Sequence, residues 1–328
     1  MTQRLGLIIV SLALAAAVAA PLLAPHAIND HFDGQLNAPP TIPRIFDDQG
    51  SLRAPFIHPW RRVSQLEQRY EEDRTVRVAL AWASGGRLVR SANEPEVPLL
   101  LLGADSFGRD VFARLVFGAR LSLGLAIAAA LCALVLGAFF GTVAGYYSGT
   151  LDDLLMRTTD FVMVLPAMYV ALALRSVLPL VLSATQVFAM LAGIFAVVGA
   201  PFIARGVRAI VRSERRLDYA AAAAAIGAGH ARIVALHLLP AAGGFIAAQL
   251  TMLVPGFIIA EATLSYVGLG FPPDVPSWGT MLQEASTIRA IGDFPWLLSP
   301  AVAIFVVVLA LNVTLLGRPK GLHYTLRA

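Results

Sequence analysis

Six long apolar stretches constrain this chain more than any other feature: Leu5–Ala24, Leu121–Tyr146, Phe161–Leu182, Val187–Ala204, Ala241–Ala262 and Trp296–Leu316. A helix rises about 1.5 Å per residue, so about 20 apolar residues cross the roughly 30 Å of bilayer hydrocarbon. In lipid every backbone amide must bond within the protein, which leaves helices or a closed barrel. These stretches lack the two-residue alternation of barrel strands. Composition agrees, with 57% of the 328 residues hydrophobic and a mean hydropathy of +0.71. The expected fold is an all-α polytopic membrane protein with six transmembrane helices. The first stretch also admits a cleaved signal peptide, with Arg4 before it and small residues at Ala24 and Ala27. Its core is longer than the usual signal core of about 7–15 residues.

Charge gives the orientation. Arg205, Arg208, Arg212, Arg215, Arg216 and Arg232 crowd the segment 205–237, and Arg318, Lys320 and Arg327 the C-terminal tail. Positive loops face the cytoplasm, so both termini lie inside with an even number of spans. Arg114 and Arg120 count against this orientation. The balance of 25 basic and 21 acidic residues is thereby topological, and no nucleic acid is implied. Cys132 is the only cysteine, which excludes disulfides within the chain and cysteine metal clusters. Lys320 is the only lysine and no phosphate-cradling loop precedes it, so the chain has no means of hydrolysing nucleotide.

A hydrophilic loop of residues 25–117 follows the first span and is far longer than a connector. Asp47-Asp48-Gln49-Gly50 reads as a hairpin turn, and Ser64–Asp73 as helical. Val76–Trp82, Ser84-Gly85-Gly86 and Arg87–Arg90 read as a second hairpin. The loop is expected to be a small mixed α/β insertion, with a partly ordered linker as the alternative. Tyr146–Asp160 reads as an amphipathic helix, with Leu151, Leu154, Leu155 and Thr158 on one face and Asp153 four residues before Arg157.

Three motifs carry a resemblance. Asp218-Tyr219 and six alanines are followed by Gly227, Ala228 and, further on, Leu239-Pro240. Ala222, Ala223, Gly227, Leu239 and Pro240 fit the spacing of the coupling loop of bacterial ABC importer permeases, with Ala221 where that family usually has Glu. Leu102-Gly103-Ala104-Asp105-Ser106-Phe107-Gly108-Arg109-Asp110-Val111 leads to Gly118-Ala119-Arg120-Leu121-Ser122-Leu123. Glu261-Ala262-Thr263-Leu264-Ser265-Tyr266-Val267-Gly268-Leu269-Gly270 leads to Pro276-Ser277-Trp278-Gly279. Both resemble the C-subunit type of the dipeptide, oligopeptide and nickel importer permeases, apart from Ala104 in place of Thr and an unusual tail at Gly317-Arg318-Pro319-Lys320-Gly321.

The resemblance implies a permease core of the MetI-like type, without catalytic residues or cofactor, in the bacterial inner membrane. Its implied partners are ABC ATPase subunits, a second homologous permease, an external solute-binding protein and the lipid bilayer. The domains expected are an N-terminal span (1–25), a periplasmic insertion (26–117), a permease domain (118–317) with its coupling loop at 205–240, and a cytoplasmic tail (318–328). ATPase docking falls to Asp218, Tyr219, Ala221, Ala222, Ala223, Gly227, Ala228, Leu239 and Pro240.

Arg175 and Glu261 sit within apolar stretches, where charge is costly, and are candidates to line the translocation path; snorkelling and helix packing are the plainer readings. The six histidines (26, 31, 58, 230, 237 and 323) show no metal-ligand spacing. Two other classes compete. An intramembrane enzyme would need a nucleophile or metal motif in the spans, and neither H-E-x-x-H nor G-x-S-x-G occurs. An ion-coupled carrier would show internal repeats and membrane carboxylates, of which Glu261 is the one clear candidate.

Overall fold

The computed structural model describes residues 2–47, 50–65, 67–166, 169–170, 172–173, 182–286 and 292–316. The chain begins with helices α1 (Thr2–Val18) and α2 (Ala20–Leu23). Six strands follow: β1 (Arg44–Phe46), β2 (Leu52–Ile57), β3 (Trp60–Ser64), β4 (Arg69–Glu72), β5 (Val78–Ser84) and β6 (Arg87–Ser91). Then come α3 (Val111–Tyr147), α4 (Thr150–Val164), α5 (Ala184–Glu214), α6 (Asp218–Ala225), α7 (His230–Ile233), a π turn (Val234–Leu238) and α8 (Leu239–Ala241). Helices α9 (Gly243–Tyr266) and α10 (Trp278–Glu284), a 3₁₀ turn (Pro295–Leu298) and α11 (Ser299–Leu316) complete the order. Two compact units result, one of Met1–Gln3, Gly124–Glu261 and Leu311–Ala328, the other of Arg4–Leu123 and Ala262–Ala310.

Glycine spacing organises the first unit. Gly137, Gly141 and Gly145 recur every four residues and so line one face of α3. A Cβ on Gly137 would lie 2.5 Å from Ile203 Cβ, and one on Gly145 would lie 2.7 Å from the Arg208 carbonyl oxygen. One on Gly141 would strike the Ala204 carbonyl. Only hydrogen at these positions lets α3 and α5 approach backbone to backbone, the small-residue packing that replaces hydrophobic burial where the solvent is lipid. On α5, Phe195 stacks on Phe257 of α9 at 5.2 Å between centroids. Helix α4 is tied to α5 by charge: Arg208 donates to both carboxylate oxygens of Asp152 at 2.5 and 2.6 Å, and Arg205 pairs with Asp160.

The second unit is built around buried ions. Asp105 accepts the amides of Phe107 and Arg109 at 2.9 Å each and the Arg109 Nε at 2.7 Å. Arg109 and Arg114 converge on Glu284 of α10 at 2.8 and 3.1 Å. Burial pushes the Glu284 carboxyl up, against the pull of the two guanidinium groups. Gly108 (φ +75°) closes the turn, and a side chain there would press on the Phe32 carbonyl at 2.5 Å. Asp110 starts α3 by accepting the amides of Phe112 and Ala113, while its other oxygen takes the His26 Nδ1 at 2.8 Å. Ser277 starts α10, reciprocally bonded with Thr280, and the indole of Trp278 donates to the Leu115 carbonyl at 3.2 Å.

His26 is 2% exposed and also lies 3.2 Å from Glu94 in an ion pair. Burial alone would lower its pKa; the bond to Asp110 and the two carboxylates outweigh that and raise it to about 9. For Glu94 burial works upward, but His26 and Arg90 bring it down to about 2.

Several expectations change. Residues 26–110 contain no helix among the described residues, so the insertion is all-β rather than mixed α/β. Its four-stranded sheet has the order β1-β2-β5-β6, and β3-β4 is a separate pair. The expected helix at 64–73 gives way to strand β4, because Arg61 and Arg62 of β3 stand opposite Glu71 and Tyr70 in a cross-strand ladder. The two expected hairpins form, β1-β2 about Asp47 and Gly50 and β5-β6 about Gly85 and Gly86. Among the described residues, four helical segments are long and apolar enough to cross a membrane: Val111–Tyr147, Ala184–Glu214, Gly243–Tyr266 and Pro295–Thr314. The first stretch forms the shorter apolar helix Gln3–Val18, and half of the stretch 161–182 lies outside the described residues. Residues 205–214, expected in a loop, continue α5, because Arg205, Arg208 and Arg212 face the acids of α4. On α4 the leucine face is outward, with Leu151 and Leu154 exposed, while Asp152 and Thr159 are buried.

Replacing Gly141 with Leu is expected to drive α3 from α5 and lower the Tm of the purified chain by at least the equivalent of about 1–3 kcal/mol. Gly124→Ala, with nothing within 4 Å, leaves it unchanged. A second expectation concerns pH. The His26 contribution is complete below its unfolded value of 6.5 and is lost as pH rises through about 9. Stability measured from pH 6 to 10 therefore falls in the native chain, and His26→Gln removes most of that slope.

Candidate functional site: the alanine knuckle

Alanine is the strongest helix former, and Ala220–Ala225 builds α6 without help from long side chains. The helix ends by geometry. Gly227 has φ +84°, Ala228 N donates to Ala223 O at 3.1 Å, and Gly227 N donates to Ala224 O at 3.0 Å. This is a Schellman termination with Gly227 at the left-handed position, where a side chain would be strained. Gly229 is extended and opens α7. The chain then passes through a π turn, closed by Leu239 N to Val234 O, and Pro240, which has no amide proton to donate, leads toward α9.

The knuckle is anchored to its own unit at three points. His230 Nδ1 meets the Tyr146 hydroxyl at 2.5 Å. Arg215 donates to the Tyr146 carbonyl and lies over the Tyr146 ring, 4.8 Å from its centroid. Tyr219 donates to Glu214 at 2.6 Å. Desolvation and the neighbouring Glu214 carboxylate push the Tyr219 phenol up to about 12, so it stays a donor at any working pH. Ala220, Ala223, Ile233 and Leu238 are buried beneath.

The outward surface is mixed, with apolar side chains between the exposed Arg216, Asp218 and Arg232. Asp218, Ala221 and Ala222 are exposed, as are Gly227 and Pro240, while Ala228 and Leu239 are half-buried. Ala223, expected at the docking surface, instead packs inward. Around them stand Leu217, Tyr219, Ile226 and Leu236, with Ile226 87% exposed. Sequence reasoning missed Leu217, Ile226 and Leu236. The signal for Leu217 and Ile226 was a large aliphatic residue at either end of the alanine helix; Leu236, inside an aliphatic run, carried none.

The structure brings the coupling-loop residues together as one knuckle. Glu261 is fully buried on α9, and Arg175 lies outside the described residues. Among the described residues no group of histidine, cysteine and carboxylate side chains could hold a metal.

The sequence profile described as binding-protein-dependent transport system inner membrane component matches residues 134–317. The chain is 34% identical to the oligopeptide transport system permease protein OppC of Bacillus subtilis (strain 168), over 72% of this chain and 75% of that one. It is 31% identical to the glutathione transport system permease protein GsiD of Pectobacterium atrosepticum, over 83% and 91%. Among solved structures, an amino acid ABC transporter aligns with a TM-score of 0.46 and 16% identity, covering 62% of this chain and 92% of that one.

Substituting Ala for Gly227 is expected to cost about 1 kcal/mol and to expose the 225–230 backbone to protease, because only glycine adopts that angle freely. Gly229→Ala, with φ −66° and open space around it, leaves the digestion pattern unchanged.

Proposed function

Because the chain belongs to the binding-protein-dependent transport system inner membrane component family, we propose that its exposed knuckle is the seat for a cytoplasmic ATPase subunit. The chain is a membrane permease subunit of an ABC importer. ATP hydrolysis belongs to separate subunits, and a solute-binding protein delivers the cargo. The cargo we assign is peptides, on the printed roles of its relatives. With a homologous second permease it forms a pathway through the bilayer, each chain supplying six spans and half of the lining, with both termini cytoplasmic and residues 26–117 outside. Residues 118–317 form the permease domain and 318–328 a cytoplasmic tail. Glu261 and Arg175 serve that pathway.

One observation carries the docking reading: a short, geometrically fixed helix presents an uncovered aliphatic rim at Leu217, Ile226 and Leu236. A soluble surface would not leave such a rim bare, whereas the cleft of a partner would cover it. Force applied there reaches α3 through His230–Tyr146 and Arg215–Tyr146, and α9 through the π turn. The close α3–α5 contact makes those helices move as a block, so closure of a motor becomes rocking of spans.

In proteoliposomes holding the chain, its sister permease and the ATPases, Ile226→Glu is expected to abolish binding-protein-stimulated ATP hydrolysis and peptide uptake. The side chain is exposed, so the Tm of the variant stays native. Unchanged stimulation would remove the knuckle from the coupling path.

A further inference from the structure

Hairpin β5-β6 ends in a tip that the rest of the insertion does not cover. The insertion's core gathers Ile57, Val78 and Leu99, with Leu80 and Val89 packed against them. Trp82 pairs with Val89 and follows Leu80 along the same face toward the turn, where it is 58% exposed. Leu88, next to Val89, points to the opposite face and is 44% exposed. The turn Ser84-Gly85-Gly86 carries no charge, and no acidic residue occurs from Arg74 to Asn93. The tip is therefore apolar on both of its faces.

Three contacts set where this tip points. Strand β6 is an edge of its sheet, and α2 packs beside it. Beyond the strand's far end His26 pairs with Glu94 at 3.2 Å, and at its start Arg87 Nη1 reaches the Ala24 carbonyl at 3.5 Å. Going back from Glu94 to Arg87 thus follows the chain back from His26 to Ala24, and the turn lies further on in that direction. The helices there are apolar outside, with Leu12, Val18 and Leu22 exposed. About 20 helical residues cross the bilayer hydrocarbon, so a helix that enters at Thr2 leaves near Leu23. The tip is aimed at the plane where that helix leaves the lipid. Tryptophan is enriched at this level because its ring is apolar and its N–H is not. An arginine beside it meets headgroup phosphates.

We propose that the β5-β6 tip is an interfacial anchor in the outer leaflet. Trp82 and Leu88 sit among the upper acyl chains, and Arg87 lies level with the phosphates. A protein partner would cover one face of a hairpin, whereas a lipid layer surrounds both. This rests on the reading of the first helix as a span with residues 26–117 outside, and goes beyond it by giving the insertion a lipid-binding element of its own.

The test uses the full-length chain with its sister permease in liposomes, comparing native protein with Trp82→Phe. The emission that this substitution removes belongs to Trp82. Lipids brominated high on the acyl chain are expected to quench about half of that component, and acrylamide in the water to quench it about threefold less than a free tryptophan amide. In a second variant, Leu12→Trp places an indole on α1 at a position 64% exposed, and its added emission is expected to be quenched by the same lipids. Both substituted side chains are exposed, so an unchanged Tm confirms folding. If Leu12→Trp responds to bromine while Trp82 responds only to acrylamide, the anchor alone is overturned. If neither responds to bromine, the reading of the first helix as a span falls and takes the anchor with it. Shielding of Trp82 from acrylamide that requires added solute-binding protein would assign the tip to a protein surface and overturn the anchor as well.

Discussion

The approach of α3 to α5 across Gly137, Gly141 and Gly145 is the contact on which the first unit depends. Lipid tails are as apolar as leucine, so burying leucine against leucine gives little preference for helix over lipid. Close backbone packing does, because dispersion falls steeply with separation. With α3 and α5 in register, Arg208 comes level with Asp152, and Arg215 with the end of α3 at Tyr146. The knuckle is then presented by a rigid pair of helices rather than by a loop.

The second unit solves a different problem. Arg109, Arg114, Asp105 and Asp110 lie at most 6% exposed, and ions so buried are tolerable only when each meets opposite charge or amide donors. Here the opposite charges come from sequence-distant segments: Glu284 for the arginines, His26 for Asp110. The same residues that form a family signature on paper thus fasten the start of α3 to segments more than 80 residues away.

How much of this was legible follows from the range of each interaction. Apolar length gave the membrane class and the approximate place of α3, α5, α9 and α11. Gly227 announced its turn, since a glycine after an alanine run needs no tertiary context to be understood. Helix α5 ran ten residues further than hydropathy suggested, because the acids that hold Arg205 and Arg208 sit on a neighbour invisible to local pattern. Residues 64–73 looked helical by composition, but pairing with β3 decided otherwise, and β-pairing is non-local. On α4 the leucines were read as the packing face, yet Asp152 is buried, because its partners lie on another helix. The glycine ladder was readable in the spacing alone and was overlooked.

The central claim is that the aliphatic rim of the knuckle touches the motor. Single cysteines at Ile226 or Ala222, in a chain whose native Cys132 has been replaced, allow disulfide trapping against cysteines in the ATPase within the assembled transporter. The account predicts a rapid crosslink from Ile226 whose yield changes when ATP is bound. A crosslink of the same ATPase to the β1-β2 hairpin at Phe46, with none from Ile226 or Ala222, would contradict it.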